Sequence, residues 1–381
     1  MKAKSIQGGS FQETKRLFNE SMLDGFRPTL AIVFTSLKED WELIQKLLNE
    51  KKIALFGTSS NGEFIGEQYE IGSTAMLLLD MPAAYFKLEM EDVEDTNTVE
   101  VAREIGESGL ATFTNPGFII SGSSTSIRAE EIIHGLVDAC GIEVNIVGGN
   151  SSSDNMQGGF LFNNTRRSDK GILALILDQD KIRMEGEAIS GWKPMGTEKT
   201  ITACEGNWIK TLDHKPALGM LLKYMGVEID FTDEIDLYNK IGSIYPVQIQ
   251  GDDGTARIIL PLFFNEEEGS FMLAAGPVQK GAKVKFSLPP DLDVVDAVVN
   301  TARQLKEQSL NEADALIIFS CIGRLNTLGP FINDEIKGLT DVWKIPSIGF
   351  FTFGEYGRAK NGLPTFHGTT VSWVALKEKN Q

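Results

Sequence analysis

The sequence predicts a mixed α/β fold in which a strand, helix, strand unit occurs three times, with an antiparallel β-rich segment between the second and third copies. Three observations carry that expectation. Apolar runs of strand length end abruptly in small or polar residues and alternate with stretches of helical periodicity. In three places a glycine that closes the second strand lies six residues before a carboxylate: Gly57 and Glu63, Gly148 and Asp154, Gly349 and Glu355. From Tyr245 to Leu288 the chain reads as short strands separated by glycine-bearing turns, the texture of antiparallel sheet.

Each element follows from its residues. Ser10 and Glu13 have capping-box spacing, and Phe11, Phe18 and Met22 fall on one face of the helix they open. Leu30 to Phe34 is a strand ending in Thr35 and Ser36, Asp40 to Leu48 a helix, Ile53 to Phe56 a strand, Gly57 to Glu63 a turn, and Thr74 to Leu79 a third strand. The order returns with Phe118 to Ile120, a helix from Ser126 whose buried stripe is Ile133, Leu136, Val137 and Cys140, the strand Val144 to Val147, and the turn Gly148 to Asp154. The third copy begins at Asp314, with strands ending at Cys321 and near Thr352. Crossovers of this kind make adjacent parallel strands, and their turns need glycine for close approach and Ser, Thr or Asn to bond local backbone.

Between the second and third copies, Lys181 to Trp192 alternates, Lys193 to Gly196 turns, Thr200 to Ala203 is extended and Gly206-Asn207 marks a hairpin. Asp213 to Pro216 reads as a helix start, with Leu218, Leu221, Leu222 and Met225 following. Asp291 to Gln308 is helical with Val295, Val298, Ala302 and Leu305 inward. At 381 residues the chain exceeds one ordinary core, so two domains are expected, divided near Gly226 to Asp233.

Composition excludes several partners. A formal charge of −17 and an isoelectric point near 4.7, with no cluster of Lys and Arg, argue against nucleic acid. Met1 to Ser10 lacks the apolar stretch of a signal peptide, and the longest apolar runs are too short to span a bilayer. Cys140, Cys204 and Cys321 have neither disulfide nor zinc spacing, so reduced thiols and a cytoplasmic location are expected. No nucleophile elbow, phosphate-binding loop, zinc-protease helix or dinucleotide fingerprint is present.

The third copy delivers Cys321, Arg324, Glu335, Gly354 with Glu355, and His367 to strand ends, where a pocket forms at a sheet edge. Arg324 offers a planar fork for a ligand carboxylate, or pairs internally with Glu335. Glu355 takes an ammonium group or serves the turn. Cys321 is a nucleophile, an iron ligand or a small buried hydrophobe. A hidden thiol hydrolase would use Cys321, His367 and Glu355. His134, opposite its helix's apolar stripe, is expected in solvent, and His214 has no assignable neighbour.

Several motifs in order resemble the FIST family: Gly57 to Glu63, Val147-Gly-Gly-Asn150, Gly191-Trp-Lys-Pro194, Leu212 to Ala217, Cys321-Ile-Gly-Arg324 with Leu328-Gly329 and Glu335, and Gly349-Phe350 with Gly354-Glu355. The resemblance covers nearly the full length and implies an N-terminal region over 1–226 and a C-terminal region over 227–381. It implies an intracellular sensory protein, not an enzyme, that binds a small ligand such as an amino acid. Its signal would pass to a histidine kinase, a cyclic-dinucleotide enzyme or a chemotaxis receptor, here in trans. Some members of the family resemble haem-binding nitric-oxide sensors; the resemblance otherwise implies no cofactor. In the haem alternative His367 is the first iron ligand and Cys321 the second; otherwise His367 is a hydrogen-bonded structural histidine.

Overall fold

The computed structural model describes residues 1–94, 97–123, 128–154, 158–226, 238–251, 256–274, 277–358 and 362–379. The expected division at Gly226 to Asp233, the helix start at Ser126 and the turn Gly251 to Gly254 lie largely outside these residues.

The first repeat consists of β1 (Lys2–Gly8), α1 (Phe11–Ser21), β2 (Leu30–Ser36), α2 (Trp41–Glu50), β3 (Ala54–Ser60), a hairpin of β4 (Glu63–Ile65) and β5 (Gln68–Glu70), and β6 (Thr74–Asp80). The second has the same order: β7 (Phe86–Asp92), α3 (Thr98–Thr112), β8 (Pro116–Gly122), α4 (Ala129–Cys140), β9 (Asn145–Gly149), β10 (Leu161–Phe162), β11 (Arg167–Ser168) and β12 (Gly171–Asp178). The third opens with β13 (Ile182–Ile189) and is then interrupted by an inserted unit. That unit holds β14 (Pro194–Glu205), β15 (Trp208–Leu212), β16 (Lys215–Pro216), α5 (Ala217–Met225), β17 (Val247–Gln250), β18 (Ala256–Ile259), β19 (Pro261–Asn265), β20 (Ser270–Leu273) and β21 (Lys283–Ser287). The third repeat resumes with α6 (Leu292–Gln308), β22 (Ala315–Cys321), α7 (Ile322–Leu328), α8 (Ile332–Trp343), β23 (Ser347–Thr352), β24 (Glu355–Arg358), β25 (Pro364–His367) and β26 (Val371–Glu378).

The three repeats interlock by exchanging hairpins. Their sheets run β1-β6-β2-β3-β10-β11, β7-β12-β8-β9-β24-β25 and β13-β26-β22-β23-β4-β5. In each, the crossover strands pair in parallel and the returning strand pairs antiparallel. The last two strands always come from another repeat: the second lends its hairpin to the first, the third to the second, and the first to the third. The central strands, such as β2, β8, β22 and β23, are buried on both faces, so they are continuous apolar runs and not alternating ones. Ile32, Ile119 and Ile317, at equivalent positions, turn into one central core, where Phe34 packs against Phe319 and Phe350 with ring centroids 6.2 and 4.3 Å away. Burial of each such side chain stabilises the fold by about 1.5–3 kcal/mol. Val33, Ile120 and Ile318 turn outward under the helices of their own repeats.

The inserted unit is antiparallel, ordered β18-β17-β21-β14-β15-β20-β19 with β16 on β15, over a core of Ile201, Leu221, Val247, Phe271 and Phe286. A cut at 226 is a division along the chain; in space, β13 pairs with β26, and β14 pairs with β21, across it.

Most of the expected helices form where their residues placed them. Ser10 caps α1 by accepting from Glu13 N–H at 3.4 Å, and the Glu13 carboxylate accepts from Gly9 N–H at 3.1 Å. Asp291 caps α6, with Val295, Val298 and Ala302 buried. One expectation is extended and one corrected. The expected stripe of α4 packs inward, Ile133 and Leu136 buried with Val137 and Cys140 partly buried against the same core, and it is widened by Ala129, Ile132 and Gly135, the last letting α4 approach Ala102 on α3. The helix after His214 begins only at Ala217; Asp213 and His214 have positive φ, and Lys215 with Pro216 forms a short strand on β15. Among the described residues no helix is long and apolar enough to cross a membrane.

Candidate functional site

The three glycine-rich turns meet and bond to one another. Ser152 N–H donates to Ser59 O at 3.1 Å, and Asn61 N–H to Ser152 Oγ at 2.9 Å. Asn150 N–H donates to Gly354 O at 2.9 Å, and Phe351 N–H to Gly62 O at 3.0 Å. These bonds link first turn to second, second to third and third to first. Small side chains are required here because backbone takes the place of side-chain packing; a Cβ on Gly349 would overlap the Phe64 ring, and one on Gly354 the Phe366 ring.

The carboxylates six residues past the glycines take two forms. Glu63 is buried and accepts from Ser60 Oγ, from Ser73 Oγ at 2.7 Å and from Ser73 N–H at 3.2 Å. Burial pushes its carboxyl up to about 7 against those bonds. Glu355 is also buried and accepts from Thr352 Oγ1 and from Thr370 N–H at 3.3 Å, with the Cys321 thiol as a close neighbour. Burial holds its carboxyl well above the usual range. Asp154 instead reaches Lys38 at 3.2 Å.

Arg324 and Glu335 meet face to face. Arg324 Nε donates to Glu335 Oε1 at 2.9 Å and Nη2 to Oε2, while Nη1 donates to Ser190 O at 2.6 Å and Thr369 O at 3.0 Å. The guanidinium carbon lies 5.1 Å from the Trp192 ring centroid, and neither charged side chain is more than 1% exposed. The geometry takes the internal pair, one of the two readings open in the sequence. The fork of Arg324 is filled by Glu335 and two carbonyls, and the pair ties α7 and α8 to Ser190 and to the loop before β26.

Cys321 and His367 are buried as well. Burial and the neighbouring Glu355 push the Cys321 thiol far up, the opposite of what a nucleophile needs. Burial pushes the His367 imidazole down to about 4, against the Gly357 carbonyl that it faces and with the Arg257 charge, and its Nε2 has no hydrogen-bond partner. Haem does not fit these donors as placed: both are enclosed, and neither borders the large cavity described next, so an iron bound to either would not set its macrocycle there.

That cavity, of about 820 Å³, lies where α4, the third-repeat hairpin and the inserted sheet come together. Asn150, Phe353 and Phe366 line it from the turns and β25, and Arg257 and Asn207 from the inserted unit. Arg257 reaches across it to Glu130 of α4 at 3.0 Å, and Arg128 pairs with Glu131, also at 3.0 Å. Tyr356 OH donates to Asn150 Oδ1 at 2.5 Å beneath it. Of the residues expected at a site, Gly354 adjoins this wall through its contact with Phe366, and Glu355 is buried and does not line the cavity. Arg324 and Glu335 lie elsewhere, among α7, α8 and Trp192. His134 lines the cavity and is exposed, as expected. Glu130 and Arg257 had no local signal, since they meet only through the tertiary fold; Asn150 was visible in its Gly-Gly-Asn turn.

Among curated proteins no match is found. The FIST N domain matches residues 29–215, which hold β2 to β15, and the FIST C domain matches residues 217–358, from α5 to the end of β24. With both domains present in this order over most of its length, the chain belongs to the FIST family, whose domains are associated with sensory and signal-transduction roles and are in general not catalytic.

Proposed function

We propose that this protein is a sensory module that binds a small polar ligand, with amino acids the first class to test, in the cleft between α4 and the inserted sheet. Its signal would pass in trans to a histidine kinase, a cyclic-dinucleotide enzyme or a chemotaxis receptor. The observation that carries this reading is the ion pair of Arg257 and Glu130 across a cavity of about 820 Å³. A ligand bearing a carboxylate and an ammonium group replaces that pair, giving each charge a new partner without leaving either unpaired. Because the two residues belong to different units, occupancy changes how the inserted sheet is held against the ring of repeats. That is a differential contact of the kind a sensor requires. In this reading Arg324, Glu335 and Glu355 hold the frame of the third repeat away from the cleft, and do not touch the ligand.

Thermal-shift screening of amino acids and small carboxylates against wild type, Arg257→Ala and Arg324→Ala tests this. The expected result is a ligand-dependent rise in Tm that Arg257→Ala abolishes and that Arg324→Ala, on a lower baseline, retains. A rise that Arg257→Ala keeps in full overturns the assignment of the cleft.

A further inference from the structure

We infer that the cleft accommodates a short peptide, added as a strand along the outer edge of β25. This rests on the cleft being the ligand site and names the class of ligand it takes.

The backbone pattern comes first. Asn150 N–H donates to Gly354 O, which fixes the alternation of bonds along β24: Tyr356 bonds toward β9, and Glu355 and Gly357 toward β25. Their partners His367 and Thr365 therefore bond inward, and Phe366, between them, turns its N–H and C=O to the outside. Gly368, next in the alternation, behaves accordingly: its N–H donates to Ile258 O at 2.9 Å. Phe366 is buried and lines the cavity, and among the described residues no strand of its sheet pairs with the outer side of β25. A buried backbone pair of this kind calls for a partner. An extended chain beside an edge strand and under a helix is a recurring mode of peptide recognition, and here α4 is the helix.

Size and charge agree. The cavity lies in the upper part of the roughly 300–1,000 Å³ range that holds drug-sized ligands, more than one amino acid fills. Ile258 meets the edge at Gly368, and Leu363 to Phe366 line the cavity, a length for about two or three extended residues at ~3.3 Å each. Two ion pairs, not one, border the cleft: Arg257 with Glu130, and Arg128 with Glu131. A peptide's separated ends match two such pairs, whereas a free amino acid needs only one. Ile133, Val137 and Leu363 offer apolar contact to its side chains.

Calorimetric titration of the full chain with leucine, with trileucine, and with trileucine N-methylated at each amide in turn tests the inference, with Arg257→Ala alongside. Trileucine is expected to bind more tightly than leucine. Methylation of one amide, which removes the N–H that meets Phe366 C=O, is expected to weaken binding about tenfold. Arg257→Ala is expected to weaken trileucine as well. Leucine binding that depends on Arg257, with no binding of trileucine, overturns the peptide inference and leaves the cleft reading standing. Equal affinity for every methylated form overturns the strand pairing. If no peptide, amino acid or small carboxylate binds in a manner that depends on Arg257, the inference and the cleft reading fall together.

Discussion

Glu63 and Glu355 hold the same place in two copies of one unit. Each accepts the hydroxyl of the residue three positions earlier, Ser60 or Thr352, and each accepts a backbone N–H just before the returning strand, from Ser73 or Thr370. Both sit where one repeat's hairpin joins another repeat's sheet, since Glu63 pairs with Phe350 and Glu355 with Gly149. These carboxyls fix the turn that lets the hairpin cross, and they do so in a dry environment.

This environment gives a pH dependence. The Glu63 carboxyl rises from 4.5 to about 7 on folding, so between those values the folded chain binds more protons than the unfolded one. Its contribution to stability is complete below about 4.5 and is lost as pH rises toward 7, a change of about 3 kcal/mol. His367 acts in the opposite sense: its folded pKa of about 4 against 6.5 unfolded removes stability as pH falls through that window. Glu63→Gln is therefore expected to be destabilised by acid more steeply than wild type between pH 7 and 4.5. Tm measured against pH for the two proteins checks this, and parallel curves would contradict it.

The repeated unit was legible in the sequence because its demands are local. Strands buried on both faces must be apolar throughout, as Leu30 to Phe34 and Leu316 to Phe319 are, and a turn packed against backbone must carry glycine, as at Gly148 and Gly349. Hairpin exchange was not legible, because the pairing of Phe64 with Gly349 depends on partners far apart in the chain. The internal pairing of Arg324 was visible as an option, since Glu335 lies one helix away. What decided it was Ser190 O and Thr369 O, carbonyls that no side-chain pattern reports. Glu130 and Arg257 meet across the cleft from an ordinary helix surface and an ordinary strand, so neither position carries a mark in sequence.

Removing one member of the buried pair leaves the other charged and uncompensated. Arg324→Ala and Glu335→Ala are each expected to cost about 3–5 kcal/mol. Replacing both, as Arg324→Met with Glu335→Leu, is expected to recover most of that loss, because the apolar residues suit the surrounding Trp192, Ile332 and Leu339. Urea denaturation of the three variants measures it; a double variant as unstable as the sum of the singles would show that the carbonyl contacts at Ser190 and Thr369 dominate.

Gly354 joins the site to the hairpin. Its φ of +105° disfavours any side chain, and a Cβ there would overlap the Phe366 ring. Gly354→Ala is expected to lower stability by about 2–4 kcal/mol and to displace β25, so ligand-induced shifts in Tm should shrink in this variant as well. Gly141→Ala, also at positive φ but with open space around it, separates backbone strain from the clash and should cost about 1 kcal/mol.

Cys321 supplies the last test, because its burial and its neighbour act together. The thiol lies at the end of β22, enclosed, beside Glu355, and pushed up by desolvation and by that carboxylate's charge. Alkylation requires a thiolate that reagent can reach, and the folded protein offers neither at this position. Cys204 is only partly buried, as is Cys140, whose thiol burial raises to about 11. Iodoacetamide near neutral pH is therefore expected to label Cys204 first, Cys140 slowly, and Cys321 only at denaturant concentrations that unfold the ring. Mass spectrometry of peptides along a denaturant series checks the order. Native-state labelling of Cys321 at the rate of Cys204 would mean that the third-repeat strand tip is open to solvent, and it would restore the thiol as a candidate nucleophile.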